Sequence, residues 1–237
     1  MTLKERARLI SRNLSHVREK IKTAAESSGR DSDDIDLMVV TKTWPAGIIE
    51  IVVDNGIRLL GENRIQEALP KIENLAKNYS DLHWHMIGHL QSNKAKHALD
   101  AFDCIQSVDS LKIANRISSL AVQRETRKDI MLEVNISGES SKFGFKPEEV
   151  ISNIETLLGL PGINLTGLMT IGPLTGDREK IRKAFREMKK LYNRLSISYP
   201  NSMKNLSMGM SDDYDIAIEE GATMVRIGRA IFGPREI

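Results

Sequence analysis

The amino-acid sequence predicts an α/β fold, a (β/α)8 TIM barrel, in a single domain that spans residues 1–237. Eight short apolar runs recur along the chain, and segments with helical spacing of apolar residues separate them. This alternation predicts parallel strands joined by right-handed crossovers, and eight such units is the number at which a parallel sheet closes. A doubly wound open sheet is the alternative, but it would leave two edges and has fewer strands. No linker rich in proline or serine divides the chain, so we expect one domain.

The first segment predicts a long amphipathic helix, and Gly29 is expected to end it. Its apolar residues recur at alternating spacings of four and three, which places them on one helical stripe. They are Leu3, Ala7, Ile10, Leu14, Val17, Ile21 and Ala24. Because the chain ends ten residues after the last apolar run, we expect this helix to occupy the position of the final barrel helix.

The eight apolar runs predict the strands, because strands buried on both faces are almost continuously apolar. They are Ile35–Thr43, Ile57–Gly61, Leu82–Leu90, Phe102–Val108, Ile130–Ile136, Leu165–Ile171, Leu206–Met210 and Thr223–Ile227. Predicted helices run through Ile65–Ala76, Leu111–Ala121, Val150–Leu158, Ile181–Leu195 and Ser211–Glu220. The longest polar connection, Ser137–Pro147, contains two glycines and is predicted to be a mobile lid.

Composition and charge are those of an ordinary globular protein. Hydrophobic residues make up 41% of the chain and charged residues 28%, which excludes a disordered chain. The 34 basic and 32 acidic residues leave a net charge of +2, so no overall attraction favours nucleic acid or anionic lipid. No uncharged apolar stretch approaches roughly eighteen residues, and the N-terminus lacks the apolar core of a signal peptide. We therefore expect a cytoplasmic protein that binds neither membrane nor nucleic acid.

Cysteine and histidine are interpreted as structural. Cys104 is the single cysteine and lies in an apolar run, so we expect a buried thiol in a reducing compartment. Alternation along the third strand would place His83 and His85 on one face, and His89 follows nearby. No carboxylate or thiol motif elsewhere completes a ligand set, so the sequence predicts no metal site.

The active site of a TIM barrel lies at the C-terminal ends of its strands, and Lys42 lies at the end of the first strand. A lysine at the tip of an apolar strand is partly desolvated. Burial favours the neutral amine, which is the nucleophile that a Schiff base requires. The alternative is a lysine whose head reaches water while its stem packs on the strand.

Phosphate groups in this fold are commonly held after strands 7 and 8. Ser207 lies at the end of strand 7, and Ser211 follows it as a phosphate contact or as a helix N-cap. Gly228 follows strand 8, where it allows a ligand to approach the backbone or serves as a turn. An amine at strand 1 and an anion site at strands 7 and 8 are neighbours in a closed barrel. That layout matches a phosphorylated aldehyde.

Six motifs in the chain resemble those of the pyridoxal-phosphate homeostasis proteins, a family related to the N-terminal barrel of the alanine racemases. They are Val40–Lys42, Gly61–Glu67, Trp84–Lys94, Gly167–Ile171, Leu206–Asp213 and Val225–Gly233. The resemblance implies a barrel that binds pyridoxal 5′-phosphate. The residues that it implies for the cofactor site are Lys42, Asn63, Ser207, Arg226, Gly228 and Arg229.

The resemblance also implies a role for each of these residues. Lys42 forms the internal aldimine and Arg226 faces the pyridine nitrogen. Ser207, Gly228 and the backbone of Arg229 hold the phosphate, while Asn63 lines the pocket. No catalytic residue is assigned. The implied protein is a monomer that makes transient contact with apo pyridoxal-phosphate enzymes.

Two functions of different class follow from such a site. A two-base amino-acid racemase needs an acid or base on each face of the substrate carbon. In alanine racemases the partner of the lysine is a tyrosine from a second domain, and this chain ends at Ile237. The tyrosines, predicted to lie in helices or connections, are Tyr79, Tyr192, Tyr199 and Tyr214.

We therefore expect a carrier or buffer of pyridoxal phosphate, without efficient turnover, that serves intracellular homeostasis of this form of vitamin B6. A pyridoxal-phosphate-dependent racemase is the alternative. A barrel enzyme in which Lys42 attacks the aldehyde of a phosphorylated sugar is a weaker one.

Overall fold

A computed structural model describes residues 1–139 and 141–234 of the chain. The structure confirms the predicted fold: eight parallel strands form a closed barrel in sequence order, and the last strand pairs with the first. The strands are β1 (Asp36–Val40), β2 (Leu59–Glu62), β3 (His83–Met86), β4 (Cys104–Val108), β5 (Lys128–Glu133), β6 (Ile163–Met169), β7 (Asn205–Ser207) and β8 (Met224–Ile227).

Helices follow the strands and cover the outside of the barrel. Within the described residues they are α1 (Leu3–Ser27), α2 (Ala46–Asp54), α3 (Ile65–Leu75), α4 (Ala95–Ala101), α5 (Leu111–Val122), α6 (Pro147–Leu158), α7 (Arg178–Ser198), α8 (Tyr214–Glu219) and α9 (Arg229–Phe232). No helix of residues 1–139 or 141–234 is long and apolar enough to cross a membrane.

The N-terminal helix occupies the position of a final barrel helix, as predicted. Helix α1 packs against α2, α8 and α9, and the stripe that includes Ile10, Leu14 and Val17 is buried. The stripe begins later than predicted, since Leu3 is 65% exposed. Gly29 follows the helix with a φ of +69°, a backbone conformation that glycine adopts without strain.

Several predicted strands are longer than the observed ones, mainly at their C-terminal ends. The first apolar run predicts a strand that reaches Thr43, but β1 ends at Val40 and the chain then turns. The third run extends to Leu90, while β3 ends at Met86. Some apolar residues beyond the strand ends are buried, such as Leu90 after β3 and Val134 after β5. At the ends of the strands, apolar residues therefore indicate burial, but they do not show that the residue pairs with a neighbouring strand.

The barrel interior holds the predicted buried thiol. Cys104, Met131 and Met169 form an apolar cluster separate from the main core between strands and helices. Burial raises the pKa of the Cys104 thiol well above its usual range, because the thiolate would lose its hydration. The thiol is therefore neutral and unreactive at physiological pH.

Strand β6 contains a bulge that brings its backbone very close to β7. The register between β5 and β6 shifts by one residue after Ile130, and Gly167 follows the shift. A Cβ atom at Gly167 would lie 2.0 Å from the carbonyl oxygen of Asn205. Only a residue without a side chain fits this contact.

We expect Gly167→Ala to lower the free energy of unfolding by about 1 to 3 kcal/mol, because the added methyl group must displace the backbone of β7. Denaturant unfolding measures the change. The matched control is Gly176→Ala, where no heavy atom lies within 4 Å of the added Cβ and we expect no measurable loss. Equal effects of the two substitutions would contradict the role of this contact.

Candidate functional site

A cavity of about 670 Å³ opens at the C-terminal mouth of the barrel. This volume lies within the range of small-molecule sites. Five of the six residues implied for the cofactor site line it, and Ser207 is the exception. The five are Lys42, Asn63, Arg226, Gly228 and Arg229. Most of the residues implied for the cofactor site therefore lie on the wall of one cavity.

Lys42 reaches this cavity from a tight turn just beyond β1. The amide of Trp44 donates to the carbonyl of Thr41 at 3.1 Å, which closes a β-turn with Lys42 and Thr43 at its centre. Val40 and Lys42 both line the cavity, as the alternation of side chains along an extended segment predicts. Lys42 is half-buried, two residues past the end of the strand.

Arg226 lies on β8 with its guanidinium directed into the barrel, where the side chain is only 4% exposed. One terminal nitrogen donates to the Ser207 hydroxyl at 2.7 Å, and the other donates to the Thr170 carbonyl at 2.8 Å. Burial lowers the pKa of Arg226 to about 10, and the carboxylates of Asp213 and Glu133 oppose that shift. The guanidinium is therefore still cationic at neutral pH.

Ser207 and Ser211 lie in different places relative to the cavity. Ser207 is completely buried, and its hydroxyl accepts from Arg226 below the cavity. Ser211 lines the cavity, and its hydroxyl accepts from the Ala230 amide at 3.1 Å. It does not cap α8, which begins at Tyr214. The path of the chain between the two serines depends on Gly209, whose φ of +94° no sequence pattern specifies.

The segment after β8 forms another part of the cavity wall. Gly228 packs closely on β1, since a Cβ atom there would lie 3.1 Å from the Val40 carbonyl oxygen. Helix α9 starts at the next residue, where the Ala230 amide donates to Ser211 and the amides of Ile231 and Phe232 donate to the Gly228 carbonyl. The side chain of Arg229 pairs with Asp212 at the rim, so its backbone is the part that remains for a ligand.

Asn63 follows β2 and is fixed by a close backbone contact with the segment after β3. A Cβ atom at Gly88 would lie 2.3 Å from the Asn63 carbonyl oxygen. Gly88 is therefore required for the packing of these two segments. The contact places Asn63 on the cavity wall, as the sequence motif implies.

Sequence reasoning missed Glu133, at the end of β5. Burial raises the pKa of this carboxyl to about 7, with the negative charge of Asp109 adding to the shift and Arg226 opposing it. The side chain is 7% exposed. The available signal is a carboxylate directly after three apolar residues in the predicted run Ile130–Ile136.

The histidines occupy separate environments. Burial lowers the pKa of His85 to about 4, and its ring contacts Gln106 at 2.8 Å, so it is neutral. His89 contacts the Asp109 carboxylate at 2.9 Å and stacks on Phe143 with ring centroids 3.7 Å apart. His83 is exposed. In the part of the chain that the structure describes, no group of three or more metal-ligating side chains could hold an ion.

The loop predicted as a lid begins within the described residues, although Ser140 lies outside them. Phe143 from this loop is the residue that stacks on His89. Lys142 donates to the Gly172 carbonyl at 2.8 Å. These contacts tie the loop to the segments after β3 and β6, and its mobility stays a prediction.

The chain is similar to known proteins along almost its whole length. The family model described as alanine racemase, N-terminal domain, matches residues 12–236. A protein of Aquifex aeolicus named pyridoxal phosphate homeostasis protein is 40% identical over 94% of this chain and 97% of its own. The structure of PipY from Synechococcus elongatus with PLP bound is 32% identical, covers 94% of this chain and 100% of that one, and superposes with a TM-score of 0.82.

The same barrel occurs in a larger protein. Alanine racemase of Clostridium difficile is 18% identical and superposes with a TM-score of 0.74. The match covers 96% of this chain but 57% of the racemase. This likeness shows a shared fold.

We expect the Glu133 contribution to the free energy of unfolding to fall as pH rises from about 4.5 to about 7. Its pKa is raised in the folded state, so folding favours the protonated carboxyl, and the benefit is lost as pH passes the folded pKa. The loss is on the order of 3 kcal/mol. Glu133→Gln should flatten this part of the stability profile in denaturant unfolding.

The matched control is Glu148→Gln, since Glu148 is exposed on α6. A profile for Glu133→Gln that parallels the wild-type profile between these pH values would contradict the assignment.

Proposed function

The chain belongs to the family of the pyridoxal phosphate homeostasis proteins, within the wider alanine racemase N-terminal domain family. We propose that it binds pyridoxal 5′-phosphate and maintains the intracellular supply of that cofactor. Lys42, on this proposal, is the covalent attachment point. The protein acts as a carrier or buffer, and residues 1–237 form one domain.

One observation carries the proposal: a lysine amine, a buried guanidinium and the amides after β8 meet in one cavity. All of these groups donate hydrogen bonds, the guanidinium carries a positive charge, and the lysine amine is a base. Such a set complements a ligand that carries a phosphate, a ring nitrogen and an aldehyde. The residues present therefore fit the cofactor. When bound, pyridoxal phosphate supplies an aldehyde that condenses with a primary amine, forming a C=N bond and releasing water.

Each residue has a defined task in this proposal. Lys42 supplies the amine. Gly228, the backbone of Arg229 and the hydroxyl of Ser211 face the phosphate, because these groups line the cavity together. Ser207 acts on the cofactor through Arg226, because its hydroxyl accepts a hydrogen bond from the guanidinium and orients it.

Arg226 is proposed to donate to the pyridine nitrogen. A guanidinium has no acceptor atom and stays protonated, so it favours a nitrogen without a proton. A neutral ring withdraws electrons weakly. The residue that anchors the ring therefore also limits carbanion chemistry, which favours a carrier over an enzyme.

The racemase alternative requires an acid or base opposite Lys42. Glu133 is a buried carboxyl with a pKa near 7, but it is not part of the cavity wall. Tyr192 and Tyr214 lie on helices outside the barrel. The names of the relatives, which refer to homeostasis, also support the carrier. We propose that the protein has no efficient racemase activity.

The cellular setting follows from the same reasoning. A buried, neutral Cys104 suits a reducing compartment, and we propose a cytoplasmic monomer. Delivery of the cofactor requires transient contact with apo enzymes. The open mouth of the barrel is the face from which delivery would occur.

We expect Lys42→Ala to abolish the visible absorbance of the protein with pyridoxal phosphate and its covalent trapping by borohydride. The amine is the only group that this substitution removes from the proposed linkage. Peptide mass mapping after reduction locates the adduct. Lys77→Ala is the matched control, because Lys77 is exposed outside the barrel, and it should trap normally. A wild-type adduct mapped to another lysine would overturn the assignment.

We expect incubation of the loaded protein with L-amino acids in deuterated water to change its visible spectrum without sustained racemisation. Exchange of the amine needs only an aldehyde, whereas racemisation needs an acid or base on both faces, each worth about 10² to 10⁴ in rate. Proton exchange and chirality are followed together. Turnover of any amino acid at about 1 per second or faster would restore the enzyme hypothesis.

A further inference from the structure

The backbone on both sides of Lys42 is held by side chains that lie outside the barrel wall. On the N-terminal side, the carbonyl of Thr41 accepts from the Lys71 amine at 3.0 Å. On the C-terminal side, the amide of Thr43 donates to the Glu67 carboxylate at 3.2 Å. Glu67 and Lys71 are four residues apart on α3, so one face of this helix contacts both ends of the turn.

A third residue fixes the same turn. Glu62, at the end of β2, accepts from the Thr41 hydroxyl at 2.7 Å and from the Lys71 amine at 2.6 Å. The Glu62 carboxylate is completely buried, and the Lys71 side chain is 10% exposed. Thr41 is thus held through both its hydroxyl and its carbonyl. The name clamp is used below for Glu62, Glu67 and Lys71.

Stability alone does not account for the buried pair in the clamp. A buried ion pair loses hydration, and replacing it with apolar residues of similar volume is often neutral or stabilising. Among the described residues, moreover, the second carboxylate oxygen of Glu62 has no hydrogen-bond partner, which adds to the cost. An apolar pair would fill the space but could not hold the hydroxyl and carbonyl of Thr41. Glu62 and Lys71 fix the turn through hydrogen bonds that a hydrophobic pair could not form.

The turn needs such support because its backbone is unfavourable. Thr43 has a φ of +69°, a left-handed conformation that a β-branched residue rarely adopts. Strained conformations persist where the surroundings over-determine them, commonly at functional sites. The bond from the Thr43 amide to Glu67 acts directly on the strained residue.

We propose that Glu62, Glu67 and Lys71 are positioning residues that fix the Lys42 turn, so that the Lys42 amine is pre-organised to attack the aldehyde carbon of the cofactor. The proposal rests on the proposed function of Lys42 as the attachment point. None of the three clamp side chains lines the cavity, so the clamp makes no contact with a ligand bound there. Its effect is on the placement of the Lys42 amine and thus on covalent attachment.

The test compares two ligands that differ in one group. Pyridoxal phosphate condenses with Lys42, whereas pyridoxine 5′-phosphate carries an alcohol in place of the aldehyde and cannot. Rapid-mixing absorbance gives the rate of covalent attachment, and borohydride trapping with mass mapping confirms attachment at Lys42. Calorimetry gives the affinity for pyridoxine phosphate. Thermal unfolding of each variant reports on the fold.

Two sets of variants remove the clamp without leaving a lone buried charge. Glu62→Leu combined with Lys71→Met replaces the ion pair by apolar side chains of similar volume. Glu67→Ala removes the acceptor of the Thr43 amide at a partly exposed site, so this variant serves if the first does not fold. Glu67→Gln restores an acceptor without the charge, and Glu73→Ala is the control on an exposed part of α3.

We expect the double variant to attach pyridoxal phosphate about tenfold more slowly, and Glu67→Ala several-fold more slowly, because a misplaced nucleophile lowers the rate steeply. Glu67→Gln should recover most of the rate, and Glu73→Ala should not change it. The affinity of each variant for pyridoxine phosphate should stay within about twofold of the wild-type value, because none of the substituted side chains lines the cavity.

Unchanged attachment rates in the double variant and in Glu67→Ala would overturn the inference. An equal loss of affinity for pyridoxine phosphate would also overturn it, because the clamp would then shape the cavity. The wild-type protein tests the proposed function separately. If the wild-type protein binds neither pyridoxal phosphate nor pyridoxine phosphate, both the proposed function and the inference are refuted. If the wild-type protein forms the covalent adduct at Lys42, the proposed function stands and the attachment rates of the variants decide the inference.

Discussion

Closure of the sheet between β1 and β8 is the constraint on which the site depends. The pairing of Val39 with Ile227 brings the first and last strands together, although nearly the whole chain separates them. The contact of Gly228 with the Val40 carbonyl continues this closure beyond the ladder. As a result the Lys42 turn and the segment after β8 face the same cavity. An open sheet with the same strand order would hold these two segments at opposite edges.

Arg226 shows how the closed barrel keeps a charge in its interior. Burying a guanidinium is costly unless its donors are satisfied. Ser207 and the Thr170 carbonyl accept two of its hydrogen bonds, and Thr170 in turn donates to the Val134 carbonyl at 2.7 Å. Ends of β6, β7 and β8 are thereby linked around one side chain. Glu133 and Asp213 supply compensating negative charge.

Much of the fold follows from the pattern of apolar residues. Alternation of apolar runs and helical stripes indicated eight strands and the position of helix α1, and all eight strands are present. The ends of the strands could not be predicted, because apolar residues such as Ile87 continue past β3 to line the cavity. In the middle of a strand the buried residues are also the residues paired in the sheet. At the mouth of the barrel a residue such as Ile87 lines the cavity but lies beyond the strand.

The sequence by itself determined which segments meet at the site, because in a barrel the order of strands fixes their neighbours. Positions at strand ends predicted Lys42, Ser207 and Gly228 as site residues, and the family motifs implied Asn63, Arg226 and Arg229. Only the tertiary structure decided between Ser207 and Ser211, since the path through Gly209 sets which hydroxyl reaches the cavity. It also decided the contacts of α3 with the Lys42 turn and the environment of Glu133. These depend on distances between segments far apart in the chain, which local patterns of residue type do not encode.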